Sequence, residues 1–243
     1  MDGYDAPGQG TVACAAWIRR SENAHLVVVG KSDPSSLEIF SFDPNIISLS
    51  ASPKAKYEFG KGVNPVIIAV HPSGDKLVCS TSNGDCKLFE LYGREDKINL
   101  TEKEQCPLQR IGLQKCLAFS IDGTRFASGG VDGCLRIFEW PNMGIILDEP
   151  RAHKSFQDMD FSLRFSIFSF DVNRWFGEKW NTSDGSPITT LSRNPDEKIE
   201  LCRFSKMGRN HFYFAVFKRV GNKSLTVVWD ISEGKNWAQE VTQ

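Results

Sequence analysis

Several things are scarce or missing in this 243-residue chain, and each shortage closes a class of function. There is no excess of basic charge: 29 Lys and Arg stand against 30 Asp and Glu, for a net charge of −1. The phosphate contacts that drive nucleic-acid binding therefore have no electrostatic support. No window approaches the roughly eighteen apolar residues of a membrane span. The opening MDGYDAPGQGTVACAAW has neither a basic start nor an apolar core, so it is not a signal peptide. Seven cysteines are odd in number and scattered without a Cys-x-x-Cys, which argues against zinc and against a disulfide framework. Reduced thiols suit a cytosolic compartment, and without an export signal the sequons at Asn99, Asn181 and Asn222 are expected to be unused. No Gly-x-Ser-x-Gly elbow or His-Glu-x-x-His helix occurs, and the four histidines are isolated, so hydrolysis is set aside. No metal, cofactor or catalytic set is expected.

What the chain has is repetition. Leu113–Asn142 holds three short apolar runs separated by Ile121-Asp122-Gly123-Thr124 and Gly130-Val131-Asp132-Gly133. Asp-Gly favours tight turns in which both central residues take positive φ, so each reads as a β-hairpin and the stretch as an antiparallel meander. The runs are almost continuously apolar, which implies a small sheet covered on both faces. Phe119, Phe126, Ile137 and Phe138 are the expected core. One meander cannot bury two faces alone, and copies of it are present. Val66–Leu91 repeats the pattern, with Ser73-Gly74 and Asn83-Gly84 at the turns. A third copy opens at Met159 and closes at Trp180; a fourth runs from Leu201 to Trp229-Asp230; a weaker unit spans Val12–Asp43. Phe119, Phe161 and Phe204 recur every 42 to 43 residues. That is the period of a propeller blade with a Trp-Asp signature, which Trp229-Asp230 carries outright. The expected fold is all-β, a WD-repeat β-propeller with units at about 11–45, 62–93, 112–142, 152–191 and 197–232.

Between the units, Gly93–Gln105 reads as a solvated Lys/Glu loop and 141–150 as a link. Asn45–Phe59 is expected to give an outer strand and a connection. His153 stands where such repeats place a Gly-His whose imidazole bonds a Ser/Thr and an Asp of the blade, a structural role. Residues 164–179 break the pattern. A back-translation of 164–178 shifted by one base reads Asp-Ser-Val-Phe-Ser-Val-Ser-Thr-Ser-Thr-Asp-Gly-Ser-Ala, a regular blade sequence that reaches Trp180 in register. Its Gly is fixed by Trp175 and Phe176 whichever codons are chosen. A pair of compensating frame changes is the hypothesis, with this span the weakest part of the fold.

The runs CSTSNGDCKLFEL, GLQKCLAFSIDG, GGVDGCLRIFEWPN, ILDEPRAHKS and IELCRFSK resemble the plant phosphate transporter traffic facilitators. These are WD-repeat relatives of the endoplasmic-reticulum exchange factor that loads GTP on the small GTPase of COPII coats. The resemblance implies a seven-bladed propeller on the cytosolic face of that organelle, followed by a membrane anchor. It also implies a role in moving phosphate transporters out. The chain departs from the pattern by ending after about five units, before the last blades and the anchor, and is then expected in the cytoplasm. In the exchange factors a Gly-rich first-blade loop binds potassium and supplies a catalytic Asn. The matching place here, Gly30-Lys31-Ser32-Asp33-Pro34-Ser35-Ser36, has neither the glycine run nor the Asn. The expectation is a non-enzymatic interaction protein whose partners are transporter cargo or COPII-related proteins. The alternative is a guanine-nucleotide exchange factor, with Gly30, Lys31, Ser32, Asp33 and Pro34 as the loop facing the GTPase.

Overall fold

The computed structural model describes residues 10–20, 25–94, 97–103, 108, 112–150, 152–153, 156–162, 166–171, 176–184, 186–192, 197–204, 213–220, 223–230 and 240–242. Beyond residue 162 the described side chains are those of 180–184, 186 and 203. Every described element is a strand, and the strands form five antiparallel sheets. The chain divides into two compact units, Met1–Leu117 and Ala118–Gln243.

The first unit opens with β1 (Val12–Arg19), β2 (His25–Ser32) and β3 (Ser35–Asp43), joined in sequence order. β4 (Ser48–Leu49) and β5 (Ala55–Glu58) both pair with β3, so the expected outer strand lies at β5. The second sheet is β6 (Pro65–Val70), β7 (Lys76–Thr81), β8 (Cys86–Arg94) and β9 (Lys97–Lys103). Even-numbered residues of β1 and β2, Ile18, Leu26 and Val28, are buried with Leu37 and Ile39 of β3. They join Ile68, Leu77, Cys79 and Phe89 of the second sheet in one core. Each such side chain contributes about 1.5–3 kcal/mol by leaving water.

Two expectations fail here, for the same reason. The stretch 93–105 is not a loop: β9 pairs with β8 from Leu88↔Lys103 to Arg94↔Lys97. Likewise 141–150 is not a mere link, because it contains β13 (Ile145–Glu149), paired with β12 (Leu135–Glu139). An outer strand packs one face only, so β9 alternates buried Ile98 and half-buried Leu100 with Lys97, Asn99 and Thr101. That alternation is hidden under a polar composition. The second and third repeat units therefore reach 103 and 149, beyond the expected ends.

The third sheet is β10 (Gln114–Phe119), β11 (Arg125–Gly130), β12 and β13. Phe126 and Ile137 are fully buried, and Phe119 and Phe138 nearly so, as expected. Phe119 meets Phe126 at 4.8 Å and the edge of Trp140 at 4.9 Å. The fourth sheet is β14 (Phe156–Phe161), β15 (Ser166–Asp171), β16 (Phe176–Asn181) and β17 (Pro187–Ser192). The fifth is β18 (Glu197–Phe204), β19 (Tyr213–Val220), β20 (Lys223–Asp230) and β21 (Glu240–Thr242). Phe119, Phe161 and Phe204 each end the first strand of their sheet, which is why they carry the repeat period. Gly129 lets the third and fourth sheets approach: a Cβ there would lie 2.5 Å from the Phe156 ring.

Candidate interaction surface

In the second and third sheets the hairpin turns follow one design. Gly74, Gly84, Gly123 and Gly133 donate to the carbonyls of His71, Thr81, Ser120 and Gly130, three residues back. Each of these glycines has positive φ, between 70° and 91°. The preceding Asp122 and Asp132 do not share it, contrary to the expectation that both Asp-Gly residues would. The geometry is a type I turn closed by a left-handed glycine. The aspartate acts through its side chain instead. Asp122 accepts from Ser120 Oγ at 2.6 Å, from the Thr124 N–H at 3.0 Å and from Thr124 Oγ at 2.9 Å. Burial opposes its ionisation, but these bonds and the Arg125 charge outweigh it and hold the carboxyl below its usual range. Asp132 is lowered in the same way: burial opposes, while Cys134 and Arg136 prevail. Both turns cap opposite ends of β11, where the sequence placed them.

His153 is buried; its backbone N–H donates to the Gly133 carbonyl at 3.1 Å and its ring packs edge-to-face with Phe156 at 4.7 Å. The aspartate that a regular blade would offer falls at 174, outside the described residues. Trp180 is buried on β16 opposite Ile167 and Pro187. Its indole Nε1 has no hydrogen-bond partner among the described residues. The altered span still forms β15, paired with β14 through a bulge between Phe156 and Asp158 and with β16 without a break from Ser166 to Phe170. Trp229 and Asp230 end β20, opposite Phe214 and Tyr213.

The stretch Gly30–Ser36 is not the loop expected. Gly30, Lys31 and Ser32 belong to β2, Ser35 and Ser36 to β3, and only Asp33 and Pro34 form the exposed turn. Lys31 is 1% exposed and pairs with Glu38 at 2.7 Å. Glu38 also accepts from Ser36 Oγ at 3.3 Å. The ammonium lies 5.7 Å from the centre of the Phe40 ring. A polar composition misled the sequence reading, because the partner of Lys31 lies on the next strand.

A surface that sequence reasoning missed lies on the same sheet. Odd-numbered residues of β1 turn away from the core, and Trp17 is 56% exposed, its ring 5.0 Å from the edge of Phe42. No alternation in the sequence marks it, because Ala15-Ala16-Trp17-Ile18 is an unbroken apolar run and the exposed and buried positions separate only in the folded strand. Cys14 points the other way, and burial pushes its thiol up to about 12, which leaves it inert. Among the described residues no group of His, Cys, Asp and Glu is arranged to hold a metal.

A profile of the WD40 family, described as WD domain, G-beta repeat, matches residues 112–139, the meander built on Asp122 and Asp132. The chain is 49% identical over 236 residues to SEC12-like protein 1 of Arabidopsis thaliana, covering 93% of this chain. It is a Sec12-related WD-repeat protein. It is also 33% identical over 190 residues to SEC12-like protein 2 of the same organism. The chain spans 59% of the length of the first SEC12-like relative and 48% of the second. Five antiparallel sheets with a WD40 repeat in the third make the fold class all-β, an incomplete WD β-propeller. No described helix is long and apolar enough to cross a membrane.

Proposed function

We propose that this chain is a non-enzymatic interaction module of the early secretory pathway. It acts at the cytosolic face of the endoplasmic reticulum and helps membrane proteins leave it, phosphate transporters among them. The observation that carries the reading is the 49% identity to SEC12-like protein 1 across 93% of the chain. The WD-repeat sheets support it, since stacked blades present turns and strand edges to protein partners. The test is the location of a tagged phosphate transporter in cells whose copy of this gene is disrupted. Retention in the endoplasmic reticulum, reversed by the restored gene, is expected; unchanged delivery to the cell surface overturns the reading.

A second reading, guanine-nucleotide exchange on the GTPase that starts COPII assembly, is favoured by the names of the relatives and by the exposed Asp33-Pro34 turn. Against it, Lys31 is held inside the sheet by Glu38, so Asp33 and Pro34 alone of the five candidate residues are exposed. Nucleotide release from the purified GTPase separates the two. The interaction module leaves the rate unchanged, whereas acceleration that survives purification assigns the enzymatic role.

A further inference from the structure

The outward side of the first sheet holds an open cleft of about 640 Å³. Trp17, Phe42 and Pro44 make its apolar floor, and Arg19, Arg20 and His25 stand around it. Arg19 and His25 are opposite one another in the β1–β2 ladder, which places both beside the Phe42 end of β3. Arg20 is held in place by donating from Nη1 to the Gly93 carbonyl at 3.0 Å. Among the described residues no carboxylate pairs with either arginine, and none lines the cleft. In a chain whose net charge is −1, this is a local gathering of one sign around exposed aromatic surface.

The strand beside the cleft is also unlike its counterparts. Among the described residues β1 pairs only with β2, just as β6 and β10 pair only with β7 and β11, but most of its residues are exposed. The corresponding first strands β6 and β10 are mostly buried or half-buried. Short of Arg19, whose carbonyl the Gly74 turn approaches, the strand edge offers backbone donors and acceptors to an extended segment, whose side chains would then reach Trp17.

We propose that this cleft binds an extended acidic peptide of a partner protein, with one aromatic or large aliphatic side chain seated against Trp17 and Phe42 and flanking carboxylates on Arg19, Arg20 and His25. Guanidinium groups match carboxylates in charge and in planar geometry. The indole and phenyl rings supply a rigid apolar anchor site. The cleft is concave, which suits a side chain better than a bilayer surface. The proposal is independent of the trafficking reading, since it names the chemistry of the bound segment and not its cargo.

The experiment is an array of short acidic peptides carrying Trp, Phe or Leu at each position in turn, probed with the full chain, and the best binder measured by fluorescence anisotropy. Saturable binding is expected, weakened at least tenfold by Arg19→Glu and by Trp17→Ser, largely retained in Arg19→Lys, and reduced by added salt. Both altered side chains are solvent-exposed, and circular dichroism establishes that the variants are folded. Three results overturn the proposal. One is equal binding of charge-reversed peptides or no saturable binding. Another is Trp17-dependent binding to phosphatidylserine vesicles in place of peptide, which assigns the cleft to a membrane. The third is self-association abolished by Trp17→Ser, which assigns it to a second copy.

Discussion

The ammonium of Lys31 sits 2.7 Å from the carboxylate of Glu38, both inside the first sheet and diagonal to one another across the β2–β3 hairpin. A pair so placed contributes little net stability, yet removal of one partner strands the other charge away from water. Lys31→Met should therefore destabilise the chain by about 3–5 kcal/mol. Lys56, 3.9 Å from Glu38 and partly exposed, offsets only part of that loss. The double variant Lys31→Met with Glu38→Leu should recover most of it. Thermal melts of the three proteins check this; a single variant as stable as the parent would refute the burial argument.

The turn carboxylates give a pH dependence whose sign is fixed. Asp75, Asp122 and Asp132 are all held below the ordinary value of 3.8 in the folded chain. A depressed carboxyl stabilises the fold above its unfolded value, and that contribution is lost as the pH falls through the folded value. Asp122→Ala should cost about 1–2 kcal/mol near neutral pH, where its carboxylate bonds are made. The gap between parent and variant should close as the pH falls below 3.8. Melting temperatures across an acid series measure it, and a gap independent of pH would mean that the aspartate acts only through shape.

Two glycines of equal backbone habit should respond differently to alanine. Gly62 and Gly74 both have positive φ, at 79° and 70°. A Cβ on Gly62 meets open space, whereas one on Gly74 would lie 2.3 Å from the Arg19 carbonyl oxygen. Gly62→Ala should cost about 1 kcal/mol, the conformational penalty alone. Gly74→Ala should cost several times that, because backbone must move. Comparable losses in chemical denaturation would rule out the close approach.

Trp180 leads to a prediction about the altered span. Its buried indole N–H lacks an acceptor among the described residues, and in a regular blade Ser/Thr and Asp side chains from 170–174 would be available to it. Restoring the alternative-frame residues over 164–179 should raise the melting temperature by several degrees, at about 2–4 °C per kcal/mol for a chain of this size. Hydrogen exchange should show less protection over 164–179 than over 113–142. No gain on restoration would separate the frame-change history from any physical cost.

The sequence made some of this visible and hid the rest for physical reasons. Asp122-Gly123 and Asp132-Gly133 announce their turns because the residues that build a turn are adjacent in the chain. Phe119 and Phe126 announce the core because inner strands are covered on both faces and read as unbroken apolar runs. β9 and β13 are quieter: with one face in water, Ile98 and Leu147 stand among Lys, Asp and Glu, and the pattern looks like a loop. Lys31 was assigned to a surface because nothing local points to Glu38, which reaches it only after the hairpin closes. The cleft at Trp17 was invisible for a similar reason. Its walls come from three strands, and Phe42 and Pro44 carry no motif.

The outer strands have a consequence for how this chain fails. β9 places Lys97 and Lys103 at its ends with exposed Asn99 and Thr101 between them, and β13 carries Asp148 and Glu149. A strand so coated makes a poor template for a second chain, because pairing would bring like charges together. β1 has no such coat: Val12, Ala13, Ala15 and Trp17 lie open along its length, with Arg19 the charge at its end. Colloidal loss at high concentration should therefore grow from β1 and not from β9 or β13. A single lysine at position 15 is the change to make first when the protein precipitates.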